Sequence, residues 1–476
     1  MHYNIQVPGA AAVGLLEVIS PYNGELVASI ETIDEKGAEL ALQNAERLFN
    51  DRQNWLPAHQ RLAILERTAQ LMRERFDTLV NLAVLEGGKP LTDTRAEVER
   101  AIDGVKNCIS CIRNEHGSEI PMQINPASSQ RLAFTHKEPI GVVVAVSAFN
   151  HPLNLIVHQV GPAVASGCPV IIKPAEDTPV SCFEFVLLLR EAGLPDEWCQ
   201  AVAVTGTHVA EKLVIDHRVG FFSFIGSSAV GWMLRSKLSA GTRCALEHGG
   251  AAPVIVAADA DLDEALPQLV KGGFYHAGQV CVSVQRVFVH NTLLKKVAER
   301  IAGLAANLQV GDPLAEETEV GPLIRYRETQ RIAEWVEEAI AQGAQLLTGG
   351  SIISDSFYQP TILLNPSHES LVSQREIFGP LVCLYGYDNV DEAIQRANAL
   401  PYAFQAAIMS RNIDTVLYAY KHLNASAVMV NDHTAFRVDW MPFSGLRQSG
   451  YGVGGIPYTY RDMQVEKMLM MRSPSL

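Results

Sequence analysis

The chain has 476 residues, 48% of them apolar and 19% charged, an ordinary globular composition that excludes a largely disordered polypeptide. At about 150 residues per folding unit the length implies roughly three units or two large ones, with enough core to fold without a disulfide or metal staple. Its 38 Lys and Arg against 52 Asp and Glu leave a formal charge of −14; with no block of basic residues, nucleic acid and anionic membrane surfaces are not expected partners.

A short strand-and-turn start is expected over 18–29, around Pro21 and Asn23-Gly24. Apolar residues at three- and four-residue spacing then predict helices over 33–49 and 61–85, the second ended by Gly87-Gly88 and Pro90, and a third over 95–112. The polar, alternating segment 119–135, with Pro121 and Pro126, reads as a ribbon projecting from a domain. From Gly141 onward strands at 142–146, 170–173, 201–205 and 220–225 alternate with helices at 155–165, 182–192 and 209–215. That order implies a parallel, doubly wound sheet of the dinucleotide-binding sort. A second alternation follows, with strands at 253–256, 287–289, 381–385, 406–409 and 428–431 and helices at 262–271, 293–306 and 328–342. The boundary between the two α/β units is expected near Gly249-Gly250, and the alternating tail 465–471 reads as another edge strand.

Eight cysteines are too sparse for a disulfide scaffold, so reduced thiols in a cytoplasmic protein are the simpler reading. No Lys or Arg precedes the short apolar stretch at 10–16, which argues against a secretory signal. The apolar runs break long before the ~20 residues a membrane span needs.

Two motifs are expected to be decoys. Gly450, Gly452 and Gly455 spell GxGxxG, but the phosphate-binding version follows a strand and opens a helix. This one follows a polar loop and runs into Pro457, so a turning loop is expected. Cys108-x-x-Cys111 lies in a predicted helix with no second pair at metal-ligand spacing, and no metal site is expected.

Others carry chemistry. At 224–231 a β-run ends at Gly226, Ser227 can cap a helix and Gly231 lets that helix pack closely, an arrangement that suits an anionic pyrophosphate. Lys173 and Glu176 follow a parallel strand, at the edge where ligands bind and ribose hydroxyls can be held. Cys281, in the Gly-flanked turn 278–281, can act as a thiolate nucleophile. Glu247 precedes the Gly249-Gly250 hinge, where desolvation would raise its pKa and suit it to general-base work. Asn150, after the strand at 142–146, can donate to an oxyanion. Singly, each has an ordinary reading as a structural thiol, a solvated carboxylate or a turn residue. Their joint occurrence in this order points to one active site.

With those residues in hand, the chain resembles the aldehyde dehydrogenase superfamily over essentially its whole length, from Pro21-Tyr22-Asn23-Gly24-Glu25 to Ser449-Gly450-Tyr451-Gly452. The most specific matches are Glu247-His248-Gly249-Gly250 and Gly278-Gln279-Val280-Cys281. Lys173-Pro174-Ala175-Glu176, Phe224-Ile225-Gly226-Ser227, Glu376-Ile377-Phe378-Gly379-Pro380 and Pro442-Phe443-Ser444-Gly445 add to them. The resemblance implies an α/β fold with a Rossmann-type NAD-binding domain (1–120 and 140–248), a second α/β catalytic domain (249–455) and a small β oligomerisation ribbon (121–139 and 456–476), in a homodimer or homotetramer. It also implies roles. Cys281 would attack the aldehyde carbonyl, Asn150 would hold the oxyanion and Glu247 would activate the water that hydrolyses a thioester. Lys173 and Glu176 would bind the adenosine ribose, Ser227 the pyrophosphate, and Glu376 with Phe378 the nicotinamide ribose and ring; Phe149, Gly226 and Gly231 complete the cofactor set.

Ala148-Phe149 stands where the family usually has Pro-Trp, His248 where leucine is usual, Ala251 where Lys or Asn is common, and Ala210 where glycine is frequent. None of these removes a catalytic group. Glu176 beside the ribose would repel a 2′-phosphate, so NAD is expected over NADP. Residues 278–286 and 431–443 are similar to the branch holding lactaldehyde and phosphonoacetaldehyde dehydrogenases. There His151, Arg286, His433 and Arg437, with Phe443, can form a cationic mouth for a short anionic or hydroxy aldehyde. In the plainer reading Arg437 pairs with Asp439 and Arg286 faces solvent. Rival functions are a semialdehyde dehydrogenase of broad specificity, a coenzyme A-acylating enzyme (disfavoured by Glu247), a non-enzymatic member of the fold, and a Cys-His hydrolase using His276 or His290, which no motif supports.

Overall fold

In the computed structural model, which describes residues 1–476, strands Gly14–Ile19 and Leu26–Thr32 form an antiparallel hairpin. Helix α1 (Glu35–Asn50) starts at Asp34, whose carboxylate accepts the N–H groups of Lys36 and Gly37, satisfying donors that a helix start leaves open. The period expected to give one helix over 61–85 gives two, α2 (Ala58–Glu74) and α3 (Phe76–Gly87). Arg75 leaves helical geometry between them and pairs with Glu191; a one-residue break barely disturbs apolar spacing, so the pattern hides it. Helix α4 (Leu91–Arg113) follows.

The first sheet has six strands, in the order Gly450–Tyr451, Arg243–Glu247, Val219–Ile225, Val142–Val146, Val170–Lys173 and Cys199–Ala201. All neighbours are parallel except the Gly450–Tyr451 pair. The covering helices include α5 (Asn154–Ser166), α6 (Val180–Glu191), α7 (Thr207–Ile215) and α8 (Ser228–Arg235). Alternate residues of the central strand enter different cores: Val143 and Ala145 pack with Val105 and Val157, whereas Val142 and Val144 pack with Leu42 and Phe222. This is why the run is apolar throughout. Cys108 of α4 meets α5 at Gly161, where a Cβ would lie 2.8 Å from its Sγ, so that thiol packs two helices. The strand expected at 201–205 sits earlier, at Cys199–Ala201. The strand Arg243–Glu247 was not expected, because its polar ends leave no apolar run.

The second sheet has seven strands, in the order Gln345–Thr348, Thr361–Leu364, Leu381–Tyr387, Val284–His290, Ala252–Val256, Gln405–Met409 and Ala427–Val430. It is parallel but for its first pair and packs against α9 (Leu262–Phe274), α10 (Asn291–Ala306) and α11 (Tyr326–Ala341). The five strands expected here are present; the edge strand at 345–348 and its neighbour at 361–364 are additional.

A third sheet pairs Arg131–Pro139 with Glu119–Ile120 and with the tail strand Gln464–Arg472, antiparallel from Gln464↔Pro139 to Arg472↔Arg131. Between the Gly-rich loop and this strand the chain forms a helix, Ile456–Asp462, on α4 and α5. The GxGxxG glycines therefore do lie between a strand and a helix, with Pro457 in the first turn of that helix, where proline is tolerated. No helix is long and apolar enough to cross a membrane.

Candidate active site

A cavity of about 1010 Å³ opens beyond the carboxyl ends of the first sheet's strands and is closed by loops of the second sheet. None of Gly450, Gly452 and Gly455 lines it, whereas Cys281, Glu247 and Asn150 all do.

Cys281 follows a 3-10 turn, Tyr275–Gly278, in which His276 and Ala277 take φ of 48° and 53° and Gly278 takes 71°. Gly278 is required there: a Cβ would lie 2.0 Å from the Gly379 carbonyl oxygen. Gln279 pins the turn by donating to the carbonyls of His276 and Pro322 and accepting from Ile324 N–H. Burial pushes the Cys281 thiol up to about 12, with Arg437 opposing and Glu376 and Glu247 reinforcing the rise. The thiol at rest therefore holds its proton.

Asn150 lies between the strand Val142–Val146 and α5, buried, and its Nδ2 donates to the Gln279 carbonyl at 2.9 Å. The far end of its loop is tied down by Glu97 of α4, whose Oε1 accepts the N–H groups of both Leu153 and Asn154 at 3.0 Å. Glu97 forms a buried ion pair with Lys89.

Glu247 ends the strand Arg243–Glu247. The Gly-rich loop makes room for it: a Cβ on Gly454 would lie 2.0 Å from Glu247 Oε1. Burial raises its pKa, and Arg437 lowers it.

On the cofactor side, Phe149, Lys173, Glu176, Gly226, Ser227, Glu376 and Phe378 line the cavity. Lys173 Nζ lies 3.5 Å from Glu176 Oε1 and donates to the Pro174 carbonyl. Ser227 occupies the N-cap position of α8, but its side chain makes no capping hydrogen bond, leaving that hydroxyl and the helix N-terminus open to an anion. Phe149 and Phe378 meet edge to face at 5.8 Å, Phe378 at φ 50°. Glu376 Oε1 is buried without a partner; burial pushes the group up to about 8 against the charge of Arg331 and the N–H of Gly250. A cavity carrying an unsatisfied carboxylate oxygen, an open helix end and an aromatic pair fits a dinucleotide with ribose hydroxyls, a pyrophosphate and a ring.

Two site candidates are corrected. Gly231 does not line the cavity. It accommodates His248, since a Cβ there would lie 2.0 Å from His248 Cε1, and His248 bonds the Gly226 carbonyl through Nδ1 at 3.0 Å. Arg286 is buried in the second sheet and donates to the carbonyls of Ala251, Arg396 and Ala397, so it neither reaches the cavity nor faces solvent. It stands on a strand whose β-branched neighbours pack on both sides, and three backbone acceptors satisfy its fork.

His151, His433, Arg437 and Phe443 do line the cavity. Burial lowers the pKa of both histidines, leaving Arg437 as the permanent charge among them. Its guanidinium lies 3.6 Å over the Phe443 ring and 4.0 Å from Glu247, and it is not paired with Asp439. That carboxylate accepts from Arg100 Nε and Nη2, at 3.1 and 2.7 Å, and bonds His158 Nε2 at 2.7 Å. Burial alone would raise Asp439, but His158 and Arg100 hold it well below the usual range. Arg100 also lines the cavity; sequence offered no sign of it, because it sits on the polar face of an ordinary helix, 339 residues from Asp439.

A model of the aldehyde dehydrogenase family matches residues 9–469. The chain is similar to the 3-sulfolactaldehyde dehydrogenase of Priestia aryabhattai, 35% identical over 457 residues that cover 96% of this chain and 94% of that protein. Among solved structures, aldehyde dehydrogenase 21 of Physcomitrella patens in complex with its reaction product succinate superposes with a TM-score of 0.94 at 33% identity, covering 99% of this chain and 98% of that one. Glyceraldehyde-3-phosphate dehydrogenase of Methanocaldococcus jannaschii complexed with NADP gives 0.92 at 33% identity, covering 96% and 99%. The cavity, the two parallel sheets around it and these matches along nearly the full length lead to one assignment: the chain belongs to the aldehyde dehydrogenase family.

Proposed function

We propose that the protein oxidises a short anionic or hydroxy aldehyde to its carboxylic acid with NAD. The observation that carries this is the convergence of Cys281, Asn150 and Glu247 on one cavity. Cys281 gives up its thiol proton to water, its Sγ bonds to the aldehyde carbon as the carbonyl π pair moves onto oxygen, and the resulting oxyanion accepts from the Asn150 amide, whose second N–H is not used by Gln279. When bound, NAD supplies the hydride acceptor, with Glu376 and Phe378 at the nicotinamide end and Lys173, Glu176 and Ser227 at the adenosine and pyrophosphate end. Loss of hydride leaves a Cys281 thioester. Glu247 takes a proton from water as the water oxygen bonds the thioester carbon, and the C–S bond breaks.

Arg437, stacked on Phe443, supports the anionic substrate, as does the sulfonated aldehyde in the name of the Priestia relative. The exposed apolar side chains Met468, Leu469, Met470 and Met471 on the tail strand support a role for the ribbon in a homodimer or homotetramer, since an open apolar edge invites pairing.

The test is a pre-steady-state burst of NADH with an anionic short aldehyde, followed by release of free acid without coenzyme A. Loss of the burst in Cys281→Ala is expected. A burst that survives that substitution refutes the reading, and a requirement for coenzyme A replaces it with the acylating one.

A further inference from the structure

Arg437 Nη1 and Glu247 Oε2 lie 4.0 Å apart with side chains only 10% and 12% exposed, too far for a hydrogen bond but close enough for strong charge coupling. Glu247 has little else to balance it. Its strand neighbours present Ile225 and Gly450 in register, and Gly454 abuts its Oε1. His248 is turned to the Gly226 carbonyl. The other titratable group facing it is Cys281, which also feels Glu376.

On its far side Arg437 donates through Nη2 to His158 Nδ1 at 3.3 Å, and its Nε has no partner. Because arginine only donates, His158 Nδ1 accepts and Nε2–H points to Asp439. Burial, then the charge of Arg437, pushes His158 down to about 4, so a neutral imidazole backs the guanidinium. The negative charge of Asp439 is already matched by Arg100. The positive charge of Arg437 is therefore left for Glu247 or for an anion that enters the cavity.

We propose that Arg437 couples substrate charge to catalysis: the carboxylate, phosphonate or sulfonate of the aldehyde takes over the guanidinium, leaves Glu247 uncompensated in a buried site, and so makes it a stronger base. The inference rests on the reading of Glu247 as the base in thioester hydrolysis. A neutral aldehyde leaves the Arg437–Glu247 contact in place and meets a weaker base. In both cases the proton taken by Glu247 from water returns to the departing Cys281 sulfur and restores the thiol, and the proton that the thiol lost on attack leaves to solvent.

The experiment is the pH dependence of kcat for an anionic aldehyde and a neutral one of equal length, in the wild type, Arg437→Gln and Glu247→Gln. In the wild type the acid limb for the anionic aldehyde lies about one pH unit or more above that for the neutral one, the size expected when a charge partner at this distance is withdrawn. In Arg437→Gln the neutral aldehyde's limb rises to where the wild type's anionic limb lies. Coincident wild-type limbs, a comparison that needs no variant, overturn the proposal, as does a neutral limb unmoved in Arg437→Gln. If Glu247→Gln keeps the acid limb, the assignment of the base has failed; if it removes the limb while wild-type limbs coincide, only the Arg437 coupling has failed.

Discussion

The side-chain amide of Asn150 donates to the backbone carbonyl of Gln279 at 2.9 Å, across 129 positions of sequence. This bond sets the amide plane against the turn that carries Cys281, so one N–H is spent on orientation and the other is free for the reaction. Asn150→Ala removes both, and kcat is expected to fall about 10²–10³-fold, the usual cost of losing one oxyanion donor, with little change in NAD binding. Asn150→Asp falls at least as far, because a carboxylate repels the oxyanion. Steady-state kinetics with isothermal titration of NAD checks both; a loss confined to KM would contradict the role.

Glu97 does structural work for the same loop. Truncating it strands the buried Lys89 charge and two backbone N–H groups at the start of α5. Glu97→Ala is expected to cost about 3–5 kcal/mol, the range for breaking a buried pair from one side. Urea denaturation measures this, and a loss below about 1 kcal/mol would show that water or a shifted loop compensates.

Gly231 and His248 are a sterically coupled pair. Gly231→Ala puts a methyl group against the imidazole and displaces the ring that holds the Gly226 carbonyl at the turn into α8. A destabilisation of about 1–3 kcal/mol is expected from overpacking, together with a raised KM for NAD. Adding His248→Ala removes the closest contact and leaves Phe224 Cδ1 at 2.9 Å, so the double variant recovers part of the stability lost by Gly231→Ala. Strict additivity in the double-mutant cycle would rule out the contact.

With burial pushing the Cys281 thiol up to about 12, the free enzyme holds little thiolate near neutrality. Below the pKa the thiolate fraction rises tenfold per pH unit, so the rate of Cys281 alkylation by iodoacetamide in the absence of NAD climbs with unit slope from pH 7 to 10. A plateau below pH 8 would mean that the thiolate is stabilised at rest. A folded-state pKa above the unfolded value of an ordinary cysteine favours folding fully below that unfolded value, and the benefit fades as pH rises toward about 12.

Glu176, half exposed beside Lys173, is expected to repel a 2′-phosphate, so kcat/KM favours NAD over NADP. Glu176→Ser narrows that ratio by raising the NADP value. A wild type that favours NADP would sink the expectation, and Glu176→Ser would then change little.

Much of the site was legible in the chain because its chemistry is carried by short segments. Cys281 sits in a turn that needs glycine at 278, and Glu247 precedes a glycine pair; Asn150 lies in the short loop that follows a β-run. Backbone demands of that kind are written locally. Glu97 was invisible because its role is to bond backbone N–H groups more than fifty positions away, which no helical period records. The strand that holds Glu247 was missed for a related reason: its pairing with Val219–Ile225 and Gly450–Tyr451, not its composition, makes it a strand.

The sequence by itself determined the candidate reacting groups, the alternation that builds two parallel sheets and the acidic balance that disfavours polyanions. Tertiary structure decided which arginine matters. Arg286 and Arg437 look alike as cationic candidates. One spends its fork on the carbonyls of Ala251, Arg396 and Ala397, and the other faces Glu247 across the cavity. The physical reason is that burial fixes the energy of a charge through its partners, and those partners come together only when distant segments fold against one another.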